Sequence, residues 1–123
     1  KIHIIEPCGF NIHDARFKRV VMDYIGYSKI FRYENYENFI LKNQKRRIVL
    51  MTTKAKKNYI KFKFKKSDVL LFGRESAGVP ESLHKKIKDK IKVPMNKKTR
   101  SLNVAMSVAI VSAEALRQND LLK

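Results

Sequence analysis

The sequence predicts a single α/β domain, built on a mostly parallel sheet with helices on both faces. Short apolar runs typical of buried strands alternate with segments of helical periodicity, which is the pattern of βα units. The run Val69–Phe72 (VLLF) is apolar without a break, as expected for a strand in a sheet that is covered on both faces. A hydrophobic fraction of 44% over 123 residues is sufficient for one core.

The first half of the chain contains three predicted strands and two predicted helices. A strand over residues 2–5 ends before a proline and a glycine. A helix over about 11–24 follows, because apolar residues recur there at positions i, i+3, i+4 and i+7. Residues 29–33 form the second strand, residues 35–40 a short helix, and residues 47–52 (RIVLMT) a buried strand.

The second half begins with residues 54–66, which include seven lysines among thirteen residues. This segment predicts a solvated or edge strand, but basic residues interleaved with Phe62 and Phe64 are also typical of RNA-binding surfaces. Further strands are expected at 69–72 and 90–93. Residues 101–118 predict a long helix that is apolar on several sides, and we expect it to be buried or to pack against a partner.

The charge of the chain points to a polyanionic partner. Twenty-eight Lys and Arg against eleven Asp and Glu give a net charge of +17, which favours association with phosphates. A lysine-rich coding bias explains the lysines equally well.

Cys8 is the only cysteine, which excludes an intrachain disulfide and a thiolate metal cluster and favours a reducing cytoplasm. No apolar run is long enough for a membrane span, and we expect no metal site.

Two segments place unusual residues directly after predicted strands, where open α/β sheets bind ligands. In residues 70–80 (LLFGRESAGVP), Gly73 allows a close backbone approach, Gly78 permits a left-handed turn and Pro80 opens a helix. Glu75 lies inside this loop. The residues alone fit a ligand loop and a tight turn equally well.

The second segment covers residues 91–105. Ser101 is a candidate helix cap, and Arg100 precedes a helix N-terminus that suits an anionic group. The alternative is that Ser101 is only a cap and Asn103 only a polar residue of the first turn. Neither segment matches a phosphate-binding P-loop or a dinucleotide fingerprint, which argues against nucleotide hydrolases and dehydrogenases.

The stretches FGRESAGVP and IKVPMNKKTRSLNVAMSVAIV resemble the second and third motifs of SPOUT ribose 2′-O-methyltransferases. The stretches IIEPCGF, DARFKRVVMDY and LMTTK are similar to one subgroup, the tRNA enzymes that methylate the anticodon wobble ribose. The resemblance covers essentially the whole chain. It implies S-adenosylmethionine as cofactor, tRNA as substrate, a deep C-terminal trefoil knot and a homodimer that uses the last helix.

The resemblance also implies roles for individual residues. The implied supporting catalytic residues are Glu75, Ser101 and Asn103. The implied cofactor-binding residues are Met51, Thr52, Gly73, Glu75, Val93, Met95, Ser101, Leu102 and Asn103. The implied RNA-binding residues are Arg16, Lys18, Arg19, Arg74 and Arg100. For all of them except Arg100, which flanks the implied site, the alternative is an ordinary solvated surface.

One departure from the family concerns its first motif, which supplies a strand and a helix with an Asn and the Arg that activates the ribose hydroxyl. Nothing in residues 1–123 matches this motif, so we expect a single domain that is truncated at its N-terminus relative to the family. Two other functions stay open: ribosomal RNA methylation and a non-catalytic basic RNA-binding module. A DNA-binding protein is disfavoured because no recognition-helix motif is present.

Overall fold

Parallel strand pairing organises the two compact units of the chain, residues 1–45 and 46–123. The computed structural model describes residues 1–7, 15, 30–74, 78–98 and 102–122. Within these ranges, all strands that are hydrogen-bonded neighbours run parallel to each other. The prediction of a mostly parallel α/β architecture is therefore confirmed. The predicted helix over about 11–24 lies outside the described residues, apart from residue 15.

The first unit pairs strand β1 (Ile2–Ile5) with strand β2 (Ile30–Tyr33), so that Ile2 is opposite Ile30. Helix α1 (Tyr36–Lys42) follows directly. It begins at the predicted cap, because the Asn35 side chain accepts a hydrogen bond of 2.8 Å from the backbone N–H of Asn38. The helix contributes Phe39 to a small aromatic core, where its ring meets the Tyr33 ring edge-on.

The second unit contains a four-stranded parallel sheet in the order β4-β6-β3-β5. Its strands are β3 (Ile48–Met51), β4 (Lys57–Asn58), β5 (Val69–Phe72) and β6 (Asp89–Lys92). The two central strands supply fully buried side chains, Leu50 from β3 and Ile91 from β6. Apolar residues run without interruption along β3 and β5 because both strands contribute side chains to covered faces.

Two described helices belong to this unit, α2 (Glu81–Lys86) and α3 (Val104–Gln118). The prediction that α3 begins at Ser101 is wrong. Asn103 has a non-helical backbone, with φ −53° and ψ 138°, and its side-chain oxygen accepts the N–H of Ala105 at 2.8 Å. Asn103 is therefore the cap of α3. The helix buries Val111 completely but leaves Met106 57% exposed, so α3 is not covered on all sides in this chain.

The lysine-rich segment differs from its prediction as a solvated or edge strand. Only Lys57–Asn58 is a strand, at the edge of the sheet, and a 3₁₀ helix (Tyr59–Lys61) follows. Phe62 and Phe64 are buried in the main core against Val49, Ile91 and Val111. The alternation of side chains from residue 61 to 65 turns the rings inward and the lysines outward.

The described residues also bear on membranes and metals. None of their helices has the length and apolar character that crossing a membrane requires. Within the same ranges, no three His, Cys, Asp or Glu side chains are grouped so that they could hold a metal ion.

Candidate functional site

A pocket lies where strands β3, β5 and β6 end. Because the three strands are parallel and adjacent, their carboxyl ends meet at one edge of the sheet. The pocket has a volume of about 320 Å³, at the lower end of the range of about 300 to 1,000 Å³ usual for small-molecule sites. Its lining is formed by Met51, Thr52, Thr53, Lys54, Phe72, Gly73, Arg74, Gly78, Val79, His84, Val93, Met95, Leu102, Val104 and Ser107.

Gly73 occupies the end of β5, where no larger residue fits. A Cβ atom on Gly73 would lie 2.5 Å from the carbonyl carbon of Gly78 and 2.7 Å from the backbone nitrogen of Val79. Gly78 has a φ of +64°, in the left-handed region that favours glycine. Arg74 and Gly78 form an antiparallel bridge, in which the Gly78 N–H donates to the Arg74 carbonyl at 2.7 Å. The wall of the pocket is therefore backbone packed against backbone.

Thr52 and His84 connect two walls of the pocket. Thr52 Oγ1 and His84 Nε2 share a hydrogen bond of 3.2 Å, and the same hydroxyl accepts the backbone N–H of Lys54. The Thr52 N–H also donates to the Ile91 carbonyl at 2.9 Å, which ties the end of β3 to β6. These contacts hold the turn after β3 against helix α2.

Positive charge at the rim of the pocket is partly offset by a carboxylate, although the chain as a whole has a large positive net charge. Lys54 donates to the Glu81 carboxylate at 3.2 Å, and this hydrogen bond lowers the pKa of Glu81. Of the lining residues that the structure describes, Arg74 and Lys54 carry positive charge and none is a carboxylate. Met51, Phe72 and Val93 also pack against the main core, so the floor of the pocket is apolar.

The pocket brings together six residues that the sequence assigned to cofactor binding: Met51, Thr52, Gly73, Val93, Met95 and Leu102. Arg74, assigned to RNA binding, also lines it. Asn103 is not among the lining residues and caps helix α3. Glu75 and Ser101, together with the RNA-binding candidates Arg16, Lys18, Arg19 and Arg100, lie outside the described residues.

Sequence reasoning missed His84, a lining residue of the pocket that lies on helix α2. Its contact with Thr52 spans 32 positions in the chain. No local pattern marks such a contact, because it depends on the arrangement of α2 against the end of β3. Lys54 and Ser107 were missed for the same reason, since each reaches the pocket only in the folded chain.

Comparison with known proteins decides the family of this chain. The sequence profile of the SpoU rRNA Methylase family matches residues 1–113. The chain belongs to the SpoU methylase family. A relative from Ancylobacter novellus, named tRNA (cytidine(34)-2′-O)-methyltransferase, is 43% identical over 120 residues, covering 96% of this chain and 76% of the relative. The enzyme of the same name from Escherichia coli K12 is 33% identical, with 96% and 76% covered.

Solved structures agree with this membership of the SpoU family. A structure described as giving insights into the 2-OH methylation of C/U34 on tRNA superposes with a TM-score of 0.88 at 29% identity, covering 96% of this chain and 78% of the other. A Sinorhizobium meliloti rRNA methyltransferase with bound AdoMet has a TM-score of 0.78 at 26% identity, covering 93% of this chain and 44% of the other. The resemblance to SPOUT methyltransferases stated from the motifs is confirmed.

Proposed function

We propose that this SpoU-family protein transfers a methyl group from S-adenosylmethionine to the ribose 2′-hydroxyl of the anticodon wobble nucleotide of tRNA. The observation that carries the proposal is the pocket at the ends of β3, β5 and β6, lined by residues of the second and third motifs. The name shared by the 43% and 33% identical relatives supports nucleotide 34 as the target.

The residues of the pocket fit S-adenosylmethionine. Gly73 lets the backbone of Gly78 and Val79 pack directly against the end of β5, so this wall of the pocket is built from backbone groups. Met51, Val93, Met95 and Leu102 offer apolar and thioether surface to a purine ring. When bound, the cofactor supplies an activated methyl group on a sulfonium. We assign its binding to these residues together with Thr52, and to Glu75, Ser101 and Asn103 as supporting residues.

The protein's part in the reaction is mainly alignment. A ribose hydroxyl is a weak nucleophile at neutral pH, so transfer depends on holding its oxygen in line with the methyl group and on accommodating its proton. The Thr52–His84 hydrogen bond keeps one wall in place for this purpose. Arg74 at the pocket, with Arg16, Lys18, Arg19 and Arg100, would hold phosphates and position the RNA.

We also propose the finer architecture of the family for this chain. Residues 1–123 form one methyltransferase domain with helices on both faces of the sheet and a deep C-terminal trefoil knot. The family match across residues 1–113 supports this. Helix α3 forms a homodimer interface, which is supported by the exposed apolar residues Met106, Val108 and Leu116. A tRNA substrate favours a cytoplasmic location.

Ribosomal RNA is the second candidate substrate. The matching family is described by rRNA methylation, and the Sinorhizobium meliloti neighbour is an rRNA methyltransferase. The motifs shared with these proteins surround the pocket, so they do not distinguish one RNA from another.

The test is nucleoside mass spectrometry of RNA after incubation with the protein and S-adenosylmethionine. The proposal expects 2′-O-methylcytidine or 2′-O-methyluridine at nucleotide 34 of tRNA, and no product from a matched tRNA with a 2′-deoxy nucleotide at that position. Methylation at another tRNA position contradicts the wobble assignment, and methylation of ribosomal RNA alone favours the second candidate. Absence of both cofactor binding by calorimetry and methyl incorporation would favour a non-catalytic RNA-binding module.

A further inference from the structure

Six lysines between residues 56 and 66 form a positively charged surface, in the segment whose basic residues the sequence left open as an RNA-binding surface. We call this surface the lysine strip; it consists of Lys56, Lys57, Lys61, Lys63, Lys65 and Lys66. All six are exposed. None of the ion pairs found among the described residues involves them. Their charge is therefore not offset by a neighbouring carboxylate in the part of the chain that is described.

The backbone beneath the lysine strip is held by the main core. Phe62 and Phe64 are 6% and 7% exposed, and their rings meet edge-on with centroids 4.9 Å apart. Lys61, Lys63 and Lys65 alternate with these two rings and point away from the core. The buried phenylalanines thus fix the direction of the three lysines between and beside them.

A side chain from helix α3 holds the same backbone by hydrogen bonds. Gln118 of α3 accepts the N–H of Phe64 at 3.0 Å and donates to the carbonyl of Phe62 at 2.9 Å. Gln118 also donates to Glu114, whose pKa is lowered to about 2 by hydrogen bonds from Arg117 and Gln118. These bonds tie the strip to the end of α3.

The nearest acid in the sequence is already buried and paired. The Asp68 side chain is only 3% exposed, and Arg47 donates to both of its oxygens, at 2.6 and 2.8 Å. The backbone N–H of Lys65 donates to Asp68 as well, while Arg47 also donates to the carbonyl of Lys63 at 2.9 Å. Asp68 therefore stabilises the scaffold and leaves the ammonium groups uncompensated.

We infer that the lysine strip is a docking surface for the phosphate backbone of the RNA substrate, an inference that rests on the proposed function. Lys54, two residues before the strip begins, lines the pocket, so the strip follows in sequence directly after a segment of the site that the ribose must reach. The phenylalanine rings are buried and cannot stack on bases, so binding is to phosphates and does not depend on base sequence. Buried rings also disfavour an anionic membrane as the partner, because interfacial segments turn their aromatic residues toward the lipid.

The inference predicts a specific salt dependence. Each lysine that neutralises a phosphate contributes about 0.7 to 0.9 to the slope of log K against log salt concentration. Replacing three lysines of the strip should therefore reduce this slope by about 2 to 3 and weaken tRNA binding at physiological salt. The loss should be similar for different tRNA sequences.

The experiment compares two triple variants that remove the same charge. K61Q/K63Q/K65Q removes the three lysines that alternate with the buried rings, and the control K42Q/K45Q/R46Q removes three cations elsewhere. Binding of unmodified tRNA is measured by fluorescence anisotropy from about 50 to 300 mM KCl, and Tm is measured for each protein. We expect unchanged Tm values, the reduced slope in the strip variant and a slope near wild type in the control.

The inference would be overturned if the strip variant and the wild type had equal slopes. It would also be overturned if the slope fell by the same amount in the strip variant and in the control variant. Lysine-dependent binding to phosphatidylserine vesicles without any effect on tRNA would overturn it as well. The proposed function is tested separately, by S-adenosylmethionine binding and methyl transfer with the wild-type protein. Failure of the wild type to bind S-adenosylmethionine would contradict the proposed function. An unchanged salt dependence of tRNA binding in the strip variant would contradict only the inference.

Discussion

Replacing Gly73 with alanine tests whether the pocket depends on contact between two backbone segments. The added Cβ would lie 2.5 Å from the Gly78 carbonyl carbon, whereas carbon atoms pack favourably at about 3.5 to 4.0 Å. The loop must therefore move by about 1 Å. Overpacking of this kind costs about 1 to 3 kcal/mol, and the movement also strains the Arg74–Gly78 bridge at the pocket wall.

We expect Gly73→Ala to raise the Kd for S-adenosylmethionine at least about tenfold, which corresponds to ~1.4 kcal/mol. Titration calorimetry measures this value, and calorimetric unfolding should show a Tm lower by at least about 3 °C. Gly78 provides the matched control, since a Cβ there meets no atom within 4 Å and only the φ of +64° is unfavourable. Gly78→Asn should bind the cofactor nearly as well as wild type, because asparagine tolerates the left-handed region.

Two results would refute this reasoning. Wild-type cofactor affinity and Tm in Gly73→Ala would show that the two backbone segments are not in close contact. A loss in Gly78→Asn as large as that in Gly73→Ala would show that any change in the loop disturbs the pocket, so that the space at Gly73 has no special importance.

Two further predictions concern polar residues at or beside the pocket. His84→Ala removes the hydrogen bond to Thr52, which is worth about 0.5 to 1.5 kcal/mol. Calorimetry should therefore show a Kd for S-adenosylmethionine about 2 to 10 times higher than that of the wild type. An unchanged Kd would exclude a positioning role for His84. Asn103→Ser keeps a side-chain oxygen that can cap helix α3, so Tm should stay near wild type while methyl transfer to tRNA falls. Full transfer activity in Asn103→Ser would show that Asn103 is only a cap.

The strands could be predicted from the sequence because local signals determine them. Strands β1 and β5 have the bounds expected from their apolar runs, Ile2–Ile5 and Val69–Phe72. In both places a proline or glycine follows closely and ends the strand. The residues after β5 and β6 could be assigned to one pocket for a related reason, since parallel strands bring their carboxyl ends to the same edge.

Two kinds of feature could not be predicted: the choice between two candidate helix caps, and burial that depends on contacts between residues far apart in the sequence. Ser101 and Asn103 are both suitable caps by composition, and the structure uses Asn103. The burial of Phe62 and Phe64 depends on Val111 of α3 and on bonds from Gln118, which lies more than fifty positions away in the chain. The lysine-rich composition of residues 54–66 predicts a solvated segment. The conformation is instead decided by the free energy gained when the Phe62 and Phe64 rings are buried.

The placement of two acidic residues bears on how a chain with a net charge of +17 would accommodate both the cationic sulfonium and the RNA of the proposed reaction. Glu81 pairs with Lys54 at the rim of the pocket and offsets a charge that would repel the sulfonium. The Asp68 side chain is buried and paired with Arg47, so it does not offset the lysine strip. If Asp68 faced outward among the lysines, part of the attraction for phosphate would be lost, because nearby opposite charges reduce the potential that an RNA encounters. The pairing of these two carboxylates therefore leaves the lysine strip uncompensated while offsetting a positive charge at the rim of the pocket.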